Sequence, residues 1–463
     1  MINNIKTKSI NDGVKFRLYV LFSLLLVIGF SCVYCCGMIN NGDYDRVCNG
    51  LIDGVVAWKP LHQEYAITKI IAFPKSTAAA FVQLLVVAHK VVGLKYFHIL
   101  SLAVLYGVIY WVGICCAIFY SRIFALLFAL NYFIYYYYFQ SLYEEAAVLS
   151  LVPWVFVGIK KVYLENKEHV FVISSCLMLA AKSQMLFFLP IFALCILGNK
   201  YLSRKKRVAY LLLLIVVAGS TILFNRYEAN NYNRLYNGIG WGLQNVEDWP
   251  ANNFNDRRAY FYSHSSQLQQ KTINYEPVEE RIIMGTSYWP TGDTIRRDAF
   301  GPGGSEEDKK QYDSIIKKGS IGNYMHFLYA HQSIIGLLIK NTYRISLISD
   351  YSVSYLRSSL ISKGNVVLKK FLDSIEFIRM SYGYIFYLIA LVTCVCCCIN
   401  FSMTNLMVTV YYFLVSPLFA LMGDGFYEYE KHMMPYLFLA LLPLMLVLSH
   451  HKKPCYDNKI GCE

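Results

Sequence analysis

The chain has 463 residues, 56% of them hydrophobic, and a formal net charge of +13. Several uncharged apolar runs approach about 20 residues, the length that crosses a bilayer core, which excludes an ordinary soluble protein. A transmembrane β-barrel is excluded too, since it would show short alternating segments. The positive charge does not point to nucleic acid, because much of it lies in short basic clusters between apolar segments, where it sets membrane orientation. The reading is an all-α, multi-spanning membrane protein.

Fourteen cysteines do not form a disulfide framework, because most lie inside apolar runs, as do Cys115, Cys116, Cys195 and Cys396-Cys397-Cys398. There they act as small hydrophobes. Cys48 is the only one in an expected outer loop, and no pair of CxxC motifs has zinc spacing. Tyrosine, at 39 residues, is abundant. Its amphipathic ring suits membrane interfaces and can stack on a sugar face.

Apolar runs predict about ten spanning helices, over 17–38, 96–119, 122–139, 145–162, 168–182, 184–198, 207–224, 376–399, 404–422 and 432–449. The first follows Lys6, Lys8, Lys15 and Arg17; it is long for a signal-peptide core and lacks a small-residue cleavage site, so it reads as a retained signal-anchor. With a cytoplasmic N-terminus, Arg122, Lys160, Lys161, Lys167, Lys200, Arg204 to Arg207 and the tail lysines all fall on the inner side. The short outer connections at 140–144 and 423–431 hold only Lys431, a bias that predicts both termini inside.

This topology divides the chain into a first membrane module (1–224) with an outer loop at 39–95, a large extracytoplasmic region (225–375), and a second membrane module with a tail (376–463). Residues 76–92 are apolar but interrupted by Gln83, His89 and Lys90, and so predict an interfacial helix rather than a span. Tyr324 to Leu347 predicts a second such helix. Gly301-Pro302-Gly303-Gly304 reads as an exposed loop.

Four groups of polar residues then fall at outer helix ends. The first loop carries Asp43, Asp45 and Arg46, with Asp53 and Glu64 further on; Glu144 and Glu145 open the fourth span. Lys182, Ser183 and Gln184 lie between the fifth and sixth, and Asp424, Glu428, Glu430, Lys431 and His432 precede the last. Ionisable groups at a membrane boundary are costly if idle, which makes them functional candidates. Each group also has an ordinary structural use. Glutamates at a helix N-terminus complement the dipole, a lysine at a helix end snorkels, and Glu428 to His432 reads as a solvated turn. His331 has the same two readings.

Together they suit the transfer of a sugar from a lipid-linked phosphate. Carboxylates supply a general base or hold a divalent cation. Arg46, Lys182 and Lys431 neutralise phosphate. Trp58, Trp241 and Trp289 offer stacking faces for a sugar.

The order of these features resembles the GT-C superfamily of membrane glycosyltransferases: an acidic first outer loop, acids opening a later helix, Ala180-Ala181-Lys182-Ser183-Gln184 running into Leu189-Pro190, and a charged motif before the last span. More narrowly, Gly423-Asp424-Gly425 with Lys431-His432, the Asn233–Trp241 stretch, Gly285-Thr286-Ser287-Tyr288-Trp289-Pro290 and Phe327-Leu328-Tyr329-Ala330-His331 resemble bacterial surface-glycan hexose transferases. Size, topology and tyrosine content resemble phage-type O-antigen glucosyltransferases.

The resemblance implies a GT-C-like fold in a bacterial inner membrane, a polyprenyl-phosphate-linked hexose (glucose) as donor, and a surface glycan such as O-antigen as acceptor on the periplasmic side. It further implies that a first-loop aspartate, Asp43 or Asp45, activates the acceptor hydroxyl, with inversion at the donor carbon. Arg46, Glu144, Glu145, Lys182, Glu428, Lys431 and His432 would bind substrate. A divalent cation, magnesium or manganese, is open. Two rivals remain. An O-antigen polymerase would depend on Arg257, Arg258, Arg296 and Arg297. A lipid-linked glycan flippase would carry charges midway through its spans, which this chain largely lacks.

Overall fold

The computed structural model describes residues 2–33, 44–55, 61–165, 167–199 and 202–226, with short pieces at 388, 391–396, 406–407, 409–411 and 444. The chain divides into two units, and the elements below lie in the first, which includes Met1–Asn225; only Arg226 at the end of α9 falls in the second. The expected spans at 376–399, 404–422 and 432–449, the interfacial helix at 324–347 and the 225–375 region lie outside the described residues, apart from those short pieces.

The described chain is mostly helical. Its elements are α1 (Ile2–Val33), α2 (Tyr44–Cys48), β1 (Ile52–Asp53), β2 (Glu64–Ile67), α3 (Thr77–Val91), β3 (Tyr96–His98), α4 (Ile99–Ile118), α5 (Arg122–Phe139), α6 (Glu144–Glu165), α7 (His169–Ala181), a 3-10 helix (Ser183–Phe188), α8 (Leu189–Leu197) and α9 (Arg204–Arg226). Among the described residues, three helices are long and apolar enough to cross a membrane: α4, α6, and α9 through Phe224. Thr77–Val91, Arg122–Phe133, His169–Ala181 and Ser183–Leu197 are shorter apolar helices.

α6 is the central helix. Every residue from Glu144 to Pro153 is buried, and so are Val155 to Lys160. A helix that is apolar around its whole circumference belongs inside a bundle. Small residues let its neighbours approach closely, as is usual between membrane helices. A β-carbon on Gly158 would lie 2.5 Å from the Cα of Phe171 in α7, and one on Gly113 of α4 would lie 2.8 Å from Pro153. Beside that second contact, Trp154 Nε1 donates to the carbonyl of Ile109 at 2.8 Å, locking α6 to α4. α1 packs on α4 through Val27 against Gly107 and Ser23 against Cys115 at 3.2 Å.

The tyrosines fill this core rather than only lining its interfaces. Tyr106, Tyr110, Tyr132, Tyr135, Tyr136, Tyr138 and Tyr143 are fully buried. Tyr110 stacks on Tyr132 at 5.7 Å, and its hydroxyl donates to the carbonyl of Phe128 at 2.7 Å, so the ring is buried while its polar tip is satisfied. α5 kinks at Tyr135, where φ is −116° and ψ is 15°.

The two ends of the bundle differ in charge. One end gathers Arg122, Lys160, Lys161, Lys167 and Arg204 to Arg207. There Asn199 Nδ2 donates to the Val162 carbonyl at 3.3 Å, and Lys206 Nζ pairs with Glu168 Oε1 at 2.6 Å. The Lys206 ammonium holds the buried Glu168 carboxyl below its ordinary range. The opposite end holds the N-termini of α4 and α6, the C-termini of α1, α5 and α7, and the small elements between α1 and α4.

Those small elements include a three-stranded antiparallel sheet, ordered β1-β2-β3, in which Ile52 pairs with Ile67 and Glu64 with His98. It departs from the all-α expectation. Residues 96–98, expected to begin a span, form β3, which pairs with β2, so the helix starts only at Ile99. The stretch expected to be interfacial is α3. Ser76 caps it, its hydroxyl accepting from the Ala79 N–H at 3.2 Å, and Gly93 at φ 82° turns the chain out of it.

Candidate functional site

Of the expected polar residues, Arg46, Glu144, Glu145 and Lys182 meet at the sheet-bearing end. α2 presents Arg46, whose guanidinium Nη2 lies 3.9 Å from Glu144 Oε2. Glu144 and Glu145 open α6 as the sequence predicts, where the positive end of the helix dipole favours carboxylates. The dipole alone does not pay for burying two carboxylates; they need cationic partners. Arg46 supplies one. Lys182 supplies the other, its ammonium donating to Glu145 Oε1 with both side chains almost wholly excluded from solvent.

Lys182 reaches this position because the helix breaks there. It ends α7 in an extended conformation (φ −156°, ψ 143°) and precedes the 3-10 helix. Beyond the 3-10 helix, Pro190 stands at the start of α8. Proline has no N–H to donate and so belongs in the first turn of a new helix, where it stands in α8. α3 braces the arrangement from the side: Thr77 Oγ1 donates to the Leu177 carbonyl of α7 at 2.7 Å.

The four charges differ in access. Glu145 and Lys182 are 1% and 4% exposed, while Arg46 is 19% exposed. Arg46 is therefore the group of the four that most readily meets a ligand, and Lys182 is committed to Glu145. Of the remaining expected residues, Asp45 lies in α2 next to Arg46, but its side chain is outside the described set, as is all of Asp43. Glu428, Lys431, His432, Trp58, Trp241 and Trp289 are outside it too. Among the described residues, no group of three or more His, Cys, Asp or Glu side chains could hold a metal ion.

Two polar clusters escaped the sequence reading. In the first, Gln140 Nε2 donates to the Tyr136 hydroxyl at 3.2 Å, which donates to Ser31 Oγ at 2.6 Å, tying α1 to the C-terminus of α5. The polar pair Gln140-Ser141 at the end of an aromatic run was the available signal. The second joins His89, His98 and Glu64. The histidine rings are 5.6 Å apart, and His98 Nδ1 is 3.4 Å from Glu64 Oε1. Burial, and then the charge of His98, hold His89 below the ordinary histidine range. Pairing of β2 with β3 sets Glu64 opposite His98, and the packing of α3 on β3 adds His89.

No match to the chain was found among curated proteins or among solved structures. The YfdI N-terminal transmembrane domain matches residues 3–255, which cover all the helices of this bundle and more than half of the chain. The chain therefore belongs to the YfdI N-terminal transmembrane domain family, a family linked to bacterial surface-glycan glycosyltransferases.

Proposed function

We propose that the chain is a GT-C-type membrane glycosyltransferase that moves a hexose, glucose by resemblance, from a polyprenyl-phosphate carrier to a surface glycan such as O-antigen. The observation that carries the reading is the meeting of Arg46 in α2 with Glu144 and of Glu145 with Lys182. It sets a first-loop cation beside buried carboxylates at the end of the bundle opposite the basic one. By the positive-inside bias, that end is periplasmic, with both chain termini in the cytoplasm of a bacterium and about ten spans in its inner membrane.

In this reading Asp43 or Asp45 takes the proton of the acceptor hydroxyl. The oxygen attacks the anomeric carbon, the bond from that carbon to the phosphate oxygen breaks, and the anomeric configuration inverts. Arg46 meets the phosphate as its charge develops. Glu144 orients Arg46, and the Glu145–Lys182 pair fixes the helix ends that carry the site. Glu428, Lys431 and His432 complete the substrate contacts from the last outer connection. A divalent cation, magnesium or manganese, would be held by the first-loop aspartates.

The test is transfer of labelled hexose from polyprenyl phosphate in membranes holding equal amounts of wild type, Asp43→Asn, Asp45→Asn and the double variant. The reading expects one single variant and the double to lose transfer. Full activity in all three overturns it. Comparing the surface glycan with and without the gene separates the rivals: a lost side-chain hexose fits transfer, and loss of all long polymer fits polymerisation.

A further inference from the structure

α3 is amphipathic in neither of the usual senses. Its buried stripe is Ala78, Val82, Val86 and His89, facing the bundle. On the opposite side, Leu84, Ala88 and Val91 follow one another at i, i+4 and i+7, and all are exposed, Leu84 to 57% and Val91 to 81%. A surface helix facing water carries polar residues on that side; one that is apolar on both sides is surrounded by apolar material. The loop before α3 continues the pattern. Ile70, Ile71 and Phe73 are exposed to 49%, 75% and 65%. The loop is held in place, with the Ala72 N–H bonded to Gln83 Oε1 at 3.0 Å and Asn49 Nδ2 donating to the Phe73 carbonyl at 2.6 Å.

The level of these residues follows from their contacts. The ring of Phe81 packs edge-on against Tyr106 at 5.8 Å, and Tyr106 is two turns into α4, about 10 Å below its first residue. Thr77 bonds to Leu177, a turn below the end of α7. Phe73 packs at 5.0 Å on Phe224, the last residue of the candidate span Arg204–Phe224, next to the exposed Ile222 and Leu223. The loop and the N-terminal half of α3 are thus sunk below the helix ends and continuous with the lipid-facing side of α9, while the C-terminal end of α3, where His89 packs on Phe97 and His98, rises to the level of β3. Interfacial helices bury their apolar face about 5–10 Å into the headgroup and acyl boundary. The charge around them also has one sign: between residues 61 and 98 there are Lys69, Lys75, Lys90 and Lys95 against the single acid Glu64. Lys69 and Lys95 are exposed.

We propose that α3 and the Ile70–Phe73 loop form a leaflet-docking surface, with Ile71, Phe73 and Leu84 inserted among lipid acyl chains and Lys69, Lys90 and Lys95 set against anionic phosphate headgroups. The occupant is the bilayer leaflet at this end of the bundle. The surface anchors α2 and α3 at the membrane plane and so fixes the height of Arg46. The inference needs only the membrane reading; it stands whether or not the chain transfers a sugar.

A photoreactive benzoylphenylalanine placed at Ile71 and at Leu84, with a control at the exposed Gln63 of the sheet, tests it in the full chain in nanodiscs of phosphatidylethanolamine and phosphatidylglycerol. Mass spectrometry after irradiation should find lipid adducts at positions 71 and 84, several-fold above those at 63. Adducts to peptides of this chain, which would mean that another copy or another segment covers the face, overturn the proposal; so does the absence of lipid adducts. For the headgroup contacts, the triple variant Lys69→Gln/Lys90→Gln/Lys95→Gln should lose at least half of the rise in unfolding temperature that phosphatidylglycerol gives over phosphatidylcholine alone. An unchanged rise overturns that part.

Discussion

Lys182 and Glu145, 37 residues apart, close a charge-assisted hydrogen bond with side chains 4% and 1% exposed. The pair joins the break after α7 to the first turn of α6, the two most tightly associated helices at the site. Removing one partner of such a pair strands a buried charge, at a cost of about 3–5 kcal/mol, whereas replacing both by apolar groups of similar volume costs far less. Lys182→Met alone and Glu145→Leu alone should each lower the unfolding temperature sharply. The double variant should recover most of the loss. A double-mutant cycle by thermal unfolding in detergent measures this, and simple additivity of the two losses would argue against a coupled pair.

Arg46 behaves differently because it is partly open to solvent and 3.9 Å from Glu144. Glu144 is buried, however, so removing Arg46 takes this cationic partner from a buried carboxylate, at a cost of about 1–3 kcal/mol. Under the proposed function, Arg46→Ala should lower the unfolding temperature less than Lys182→Met does, and in the folded protein should lower kcat/KM for the lipid-linked donor by about a hundredfold. That loss corresponds to a charged hydrogen bond of about 2–3 kcal/mol to the phosphate. Arg46→Lys should restore part of it, since charge is kept and the bidentate geometry is not. Steady-state kinetics with the donor varied reads the difference.

The legibility of these residues in the sequence divides along physical lines. Glu144-Glu145 and Lys182-Ser183-Gln184 stood out because they interrupt apolar runs, and the structure places them at the start of α6 and the break after α7. Their partnership was not legible, because hydropathy orders segments along the chain and says nothing about which helix faces meet. β1 and β3 were hidden by their length of two and three residues; β3 also merges with the apolar run of α4, and no alternation of hydrophobicity builds up over so few positions. The tyrosines were read as interfacial from their chemistry. The core holds seven of them fully buried, and there the Tyr110 phenol satisfies itself on a backbone carbonyl.

Gly158 was invisible for the same reason, as its role lies in a neighbour. A methyl group there would sit 2.5 Å from Phe171 Cα and 2.8 Å from its nitrogen, and backbone atoms cannot swing aside. Gly158→Ala should push α6 from α7 and cost about 1–3 kcal/mol, the usual penalty of overpacking. Gly219 in α9 is the control, with nothing within 4 Å of an added β-carbon. Gly219→Ala should be neutral or stabilising by up to about 1 kcal/mol through helix propensity. Unfolding temperatures of the two variants, measured side by side, should move in opposite directions or differ by several degrees.

His89 makes the sheet-bearing end sensitive to acid. It is buried on α3 with no hydrogen-bond partner at Nδ1, next to Lys90 on its own helix and facing His98 of β3, which is itself paired with Glu64 of β2. Burial, reinforced by the charge of His98, lowers its pKa from the ordinary 6.5. The folded chain therefore resists protonation at a pH where the unfolded chain accepts it. Stability from this group is complete above about pH 6.5 and falls as the pH drops below that value, until the lowered folded pKa is passed and the loss levels off. Unfolding temperatures measured from pH 7.5 down to 5 should show a decline that begins near 6.5 in the wild type and is flatter in His89→Leu. A decline of equal slope in both would assign the acid sensitivity to other groups.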